Sequence, residues 1–306
     1  MDHVESQDAN NNRNPGKVVI LPSSFQGSPR AMQQNYQDAM AIVAKYGKPD
    51  LFLTFTCNPK NSDILANLPN NQRAENRPDI VARVFKMHLK ELLRDILEKH
   101  VLGVVVAHVH VIEFQKRGLP HCHMLIILAK DCKLRGPADI DSVISAEIPD
   151  RDSDTQLFEI VKSAMVHGPC GTLNQNSVCM ADGECTKDFP KDFQSETRMK
   201  ADGYPLYKRR DNGRTVIIGA VQVDNRWIVP YNPYLSKKFC AHINVEACTT
   251  VKSVKYIFKY VYNGHDCANI EMSLNNDHDE ITTFLDARYV CKCPRGILAV
   301  IRISSS

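Results

Sequence analysis

The chain has 306 residues, 43% of them hydrophobic and 24% charged, a balance that suits a globular protein with a sizeable core and excludes a low-complexity or collagenous chain. No apolar run reaches membrane-spanning length, and MDHVESQDANNNRNPGK has no signal-peptide core, so a soluble cytosolic or nuclear protein without a membrane partner is expected. A net charge of +3 permits a nucleic-acid partner without demanding one, and eleven cysteines in such a setting read as thiols or metal ligands rather than disulfides.

Residues 1–16, rich in Asn, Asp and Gln, are expected to form a disordered tail. PRAMQQNYQDAMAIVAKYG has helical spacing and a glycine stop, which predicts a helix over 30–46. PDLFLTFTCNP follows as a β-branched and aromatic strand over 51–57 between prolines. RPDIVARVFKMHLKELLRDILEKH opens on proline and carries one apolar stripe from Ile80 to Ile96, a long amphipathic helix. VLGVVVAHVHVIEFQ and HCHMLIIL then read as two strands joined through KRGLP. A helix is expected over 155–166, an irregular cysteine-rich insertion over 167–193, and a strand pair in RTVIIGAVQVDNRWIVPYNP. TVKSVKYIFKYVYNG is the last predicted helix, closed by Gly264, and beyond 290 no element is predicted. The fold class is therefore α+β: a central, mostly antiparallel sheet carrying the His-x-His strand, flanked by helices, with the cysteine-rich insertion.

Successive strand side chains alternate between faces, so His121 and His123 share one side while Cys122 points away. A five-residue turn over KRGLP would set Gln115 opposite His121 and Glu113 opposite His123, bringing four polar groups to one patch. Two imidazoles plus a carboxylate or amide oxygen can hold a divalent cation with coordination positions open. His108 and His110 repeat the His-x-His pattern with the opposite parity and no acid beside them; they read as structural.

The segments LPSSFQGSPRAM, GKPDLFLTFTCNP, NRPDIVARVF, EFQKRGLPHCHMLI, HGPCG, DNRWIVPYNP, HINVE and VKYIFKYV, in this order, resemble the Rep nuclease domain of Helitron transposases. That domain, also called the Helitron helicase-like domain, belongs with the rolling-circle replication initiators known as HUH endonucleases. The resemblance runs over 17–290, and the tail 291–306 diverges from the family's continuation, as if truncated. It implies that His121 and His123 bind Mg²⁺ or Mn²⁺, with Glu113 or Gln115 as third ligand. It also implies that Tyr256 and Tyr260, in KYIFKY, are the nucleophiles that nick single-stranded DNA through a 5′-phosphotyrosine and pass the strand on. At four residues apart on a helix the two phenols share a face. Asn61 stands where relatives commonly carry tryptophan. A catalytically decayed, DNA-binding remnant is the alternative reading. Whole Helitron proteins carry a helicase motor, but no GxxxxGK[ST] loop occurs here, so no ATPase activity is expected.

His167, Cys170, Cys179 and Cys185 could close a structural zinc site, although their spacing is not that of a standard finger. Arg117 in the hairpin turn, Lys259 beside the tyrosines, and the run Lys208, Arg209, Arg210 after Tyr207 are candidate phosphate contacts, the run reading equally well as a solvated turn. His242 and Glu246 in HINVE remain unassigned, and Trp227 is expected to be buried in a sheet. A DNA substrate would place the protein in the nucleus.

Overall fold

The computed structural model describes residues 17–20, 29–69, 72–114, 119–200, 204–248, 267–270 and 296–300. In chain order the elements begin with strand β1 (Lys17–Ile20), helix α1 (Pro29–Tyr46), β2 (Leu51–Thr56), α2 (Ser62–Asn67) and α3 (Pro78–Leu97). The hairpin β3 (Val105–Phe114) and β4 (Pro120–Leu128) follows, then α4 (Pro137–Val143) and α5 (Thr155–Ala164). Four short strands come next: β5 (Met180–Ala181), β6 (Glu184–Cys185), β7 (Arg198–Met199) and β8 (Pro205–Leu206). The hairpin β9 (Val216–Ile218) and β10 (Val221–Val223) leads to α6 (Pro233–Phe239), β11 (Ile243–Ala247), β12 (Cys267–Ile270) and β13 (Gly296–Val300).

The central sheet has five strands in the order β11-β2-β4-β3-β13, and every neighbouring pair is antiparallel. The α+β architecture thus matches the sequence reading. β13 is the exception: no element was expected beyond 290, yet GILAV pairs along the outer edge of β3, from Gly296 opposite Phe114 to Val300 opposite His110. The expected tail 1–16 and the expected helix over 250–264 lie outside the described residues. No helix among the described residues is long and apolar enough to cross a membrane.

Alternation along β4 divides the core in two. Cys122, Met124, Ile126 and Leu128 point to one face, where they meet Leu53 and Phe55 of β2, Val84, Phe85, Leu89 and Leu92 of α3, and Leu235 and Phe239 of α6. The Phe55 ring is 1% exposed and stacks on Phe85 with centroids 5.1 Å apart. Truncating a ring packed this way costs about 3–5 kcal/mol. Pro78 starts α3 at a position whose N–H has no helical acceptor, and the apolar stripe behind it keeps α3 against this face.

On the other face Leu125 and Ile127 pack with Val109, Val111 and Phe52 against Ala39 and Ile42 of α1. That apolar set ends before His123 and His121, so the end of the sheet face bearing the histidines is left to polar residues. A third core lies beside the cysteine-rich insertion, where Leu157 and Val161 of α5 meet Val216, Val223, Trp227 and Ile228. Trp227 is buried as expected, but on a single 3-10 turn (Asn225–Trp227) rather than in a sheet.

Candidate metal centre and adjoining groove

Register across the sheet aligns the polar residues in rows. Glu113 of β3 lies opposite His121 of β4, which lies opposite Thr56 of β2, beside the main chain of His242 just before β11. One pair further along come Val111, His123, Thr54 and Asn244. All these positions share a parity and therefore a face. The expected convergence of Glu113, His121 and His123 is present, with one correction. Phe114 pairs with Pro120, so Glu113 faces His121 instead of His123. A shift of one residue on both strands moves the pairing while preserving the face.

The side chains still bring Glu113 to the other imidazole: its Oε2 lies 3.3 Å from His123 Nε2. Both groups are buried. Each imidazole is engaged at Nδ1 by a β2 hydroxyl, Thr54 Oγ1 on His123 and Thr56 Oγ1 on His121, both at 3.1 Å. Holding Nδ1 this way orients the ring and leaves Nε2 as the ligand nitrogen, the arrangement found around metal-binding histidines. Phe52 stacks on the His123 ring with centroids 6.0 Å apart and fixes its plane. Burial, reinforced by the neighbouring His123, lowers the His121 pKa to about 4, so this ring is neutral and able to donate its lone pair at physiological pH.

Replacing Thr54 by Val should test this orienting role. Calorimetric titration with Mn²⁺ should show cation binding weakened roughly 10–100-fold with the fold intact, and Thr54→Ser should restore it.

His242 joins the same face, which sequence reading left open. Its Nδ1 lies 2.7 Å from the Ala164 carbonyl oxygen, which can only accept, so the proton sits on Nδ1 and Nε2 is the basic nitrogen. Burial lowers its pKa, and it too is neutral. The signal was available in the parity of HINVE against LFLTFT, but only once β11 is known to pair with β2. His108 and His110, on the opposite side of β3, are 1% and 3% exposed with stacked rings, in keeping with a structural role.

A groove of about 940 Å³ opens over this polar end of the sheet. His123, Thr54 and His242 contribute to its floor, and Lys187, Phe189 and Lys191 of the cysteine-rich insertion to its wall. The insertion is organised around His167, Cys170, Cys179 and Cys185, whose ligand atoms all lie within 4.8 Å of one another. Among the described residues no other group of three or more such donors is drawn that close, the His121, His123 and Glu113 set included.

The basic run needs correction. Arg209 is 3% exposed, and its Nη1 donates to the carbonyls of Asn225 at 2.7 Å and Ile228 at 2.6 Å. Burial lowers its pKa to about 10, yet it stays charged and serves as an internal tie rather than a phosphate contact. Arg210 grips Glu147 through Nε at 2.9 Å, and Lys208 pairs with Asp141 at 3.0 Å, so both charges are already answered by carboxylates. Gln115, Arg117, Tyr256, Lys259 and Tyr260 lie outside the described residues.

Residues 1–126 match the family described as the Helitron helicase-like domain at the N-terminus, a span that includes Glu113, His121 and His123 and ends within β4. No curated protein matches the chain.

Proposed function

We propose that this Helitron-related protein is a metal-dependent nuclease that nicks single-stranded DNA and transfers the cut strand, as rolling-circle transposition of a mobile element requires. The observation that carries this reading is the seating of Glu113, His121 and His123 on one face, with a β2 hydroxyl on Nδ1 of each ring. Nε2 of both histidines and the Glu113 carboxylate would hold Mg²⁺ or Mn²⁺. When bound, the cation polarises a non-bridging phosphate oxygen and offsets charge gathering on the phosphorus.

The chain's own groups supply the rest. The hydroxyl of Tyr256 or Tyr260 gives up its proton and attacks phosphorus, forming an O–P bond as the bond to the 3′ oxygen breaks. That oxygen leaves as a 3′-hydroxyl after taking a proton, and the 5′ phosphate stays on the tyrosine. Attack by another 3′-hydroxyl reverses the step and joins a new strand, so cutting and joining need no ATP. A second tyrosine lets two such transfers alternate. The substrate places the work in the nucleus.

The test is an end-labelled single-stranded oligonucleotide incubated with the protein and Mn²⁺, with and without EDTA. Cation-dependent cleavage that leaves one fragment covalently on the protein is the expected result. Binding of the oligonucleotide with no cleavage under any divalent cation overturns the nuclease reading in favour of a DNA-binding remnant.

A further inference from the structure

The insertion over 167–193 leans on the third core through Cys170, Met180 and Phe189, but its outer part has little regular structure. Its strands β5 and β6 are two residues each, Val178 is fully exposed and Leu173 is half exposed. What gathers it is a turn and a cluster. Asp182 and Gly183 both take positive φ, 51° and 82°, the pattern of a tight two-residue hairpin turn. The turn folds β6 back on β5 and brings Cys179 and Cys185, on either side of it, toward Cys170 and His167. Cys170 Sγ and Cys185 Sγ each lie 3.6 Å from the same nitrogen, His167 Nε2. A lone hydrogen bond at that nitrogen would favour one sulfur over the other. Two sulfurs at equal distance suit the edges of a tetrahedron, since Zn–S of ~2.3 Å and Zn–N of ~2.05 Å at the tetrahedral angle give an edge of about 3.6 Å.

We propose that His167, Cys170, Cys179 and Cys185 form a closed, four-coordinate Zn²⁺ site, and that this ion builds the wall of the groove that His123 opens into. Three thiolates and one imidazole select zinc over the oxygen-preferring Mg²⁺ and leave no coordination position for water, so the site is structural. Its reach to the groove is short. His167 stacks on Phe189 with centroids 4.1 Å apart, and both residues line the groove. The Thr186 N–H donates to the Cys179 carbonyl and the Asp188 N–H to the Cys185 carbonyl, each at 2.8 Å, so the chain carrying Lys187 and Phe189 leaves the cluster already fixed. Removing the ion frees that wall while the sheet that bears His121 and His123, packed on its own core, stays folded. The zinc site itself does not depend on the nuclease reading; only the passage of a DNA strand along the wall does.

The test uses the full chain. Elemental analysis should find one zinc per chain, and it should still find one in the His121→Ala/His123→Ala variant, which separates this site from the proposed catalytic cation. Cys185→Ser, at a partly exposed position, should lose the zinc. Because a cysteine variant can also lose zinc by misfolding, wild-type protein refolded with Co²⁺ gives a second reading: the intense visible bands and sulfur-to-cobalt charge transfer of a tetrahedral thiolate site are expected. A zinc-selective chelator that spares Mg²⁺ should then speed hydrogen exchange across 179–191 and leave 120–128 protected. Protein isolated without zinc, with these cysteines freely reactive or joined in a disulfide, and with no tetrahedral cobalt spectrum, overturns the site. Unchanged exchange over 179–191 on zinc loss overturns its role in the wall.

Discussion

With Tyr256 and Tyr260 both changed to phenylalanine, covalent capture of a single-stranded oligonucleotide should fall by ~10³-fold or more, to the limit of detection. The substitution removes two oxygens and keeps both rings, so packing is preserved and any loss lies in chemistry. Oligonucleotide affinity should stay close to wild type, because the variant keeps both rings and every basic side chain. Each single variant should retain part of the cleavage, with strand transfer more impaired than the first cut. A denaturing gel of labelled oligonucleotide crosslinked to protein measures all of this. Adduct formed by the double variant at the wild-type level would refute the assignment of the nucleophiles.

His123→Ala should have an effect of similar size by a different route. It deletes one of the proposed ligand nitrogens and leaves the Glu113 carboxylate, 3.3 Å away and 5% exposed, without the ring it faces. Cation affinity should drop more than ~100-fold, beyond what loss of an orienting hydroxyl produces. Cleavage at sub-saturating Mn²⁺ should drop ~10³-fold and recover in part as Mn²⁺ is raised. His108→Ala is the matched control. It removes an equally buried imidazole from the opposite side of β3, so it should lower thermal stability and leave the Mn²⁺ dependence of cleavage unchanged. Equal loss of cation binding in both variants would mean that the sheet face does not define the site.

These contrasts rest on parity, and parity was legible in the sequence. The apolar stripe of α3, the proline and glycine punctuation around α1 and β2, and the alternation in HCHMLIIL each respond to local periodicity, and each element formed where expected. The pairing of β3 with β4 is less legible because KRGLP has no Asn-Gly or Asp-Gly signal to fix which residues turn, and a five-residue turn there sets Glu113 opposite His123 rather than His121. α4 and α6, at seven residues, are too short to show a helical period and went unread.

Nonlocal contacts account for the remaining differences. The run after Tyr207 looks like a solvent-facing basic stretch because its acceptors, the carbonyls of Asn225 and Ile228 and the carboxylates of Glu147 and Asp141, come from distant segments. His242 is in the same position: nothing near HINVE announces that its ring meets the Ala164 carbonyl. Cys170, Cys179 and Cys185 were readable as a set by residue type, while their convergence depends on the Asp182-Gly183 turn and the stacking of His167.

Trp227 is the only tryptophan in the chain, and its ring lies 6.4 Å from that of His167, nearly parallel to it. Indole emission therefore originates from one spot, beside the cysteine cluster. A fluorometer can follow the insertion in real time, with no label attached, while the face bearing Glu113, His121 and His123 is titrated separately.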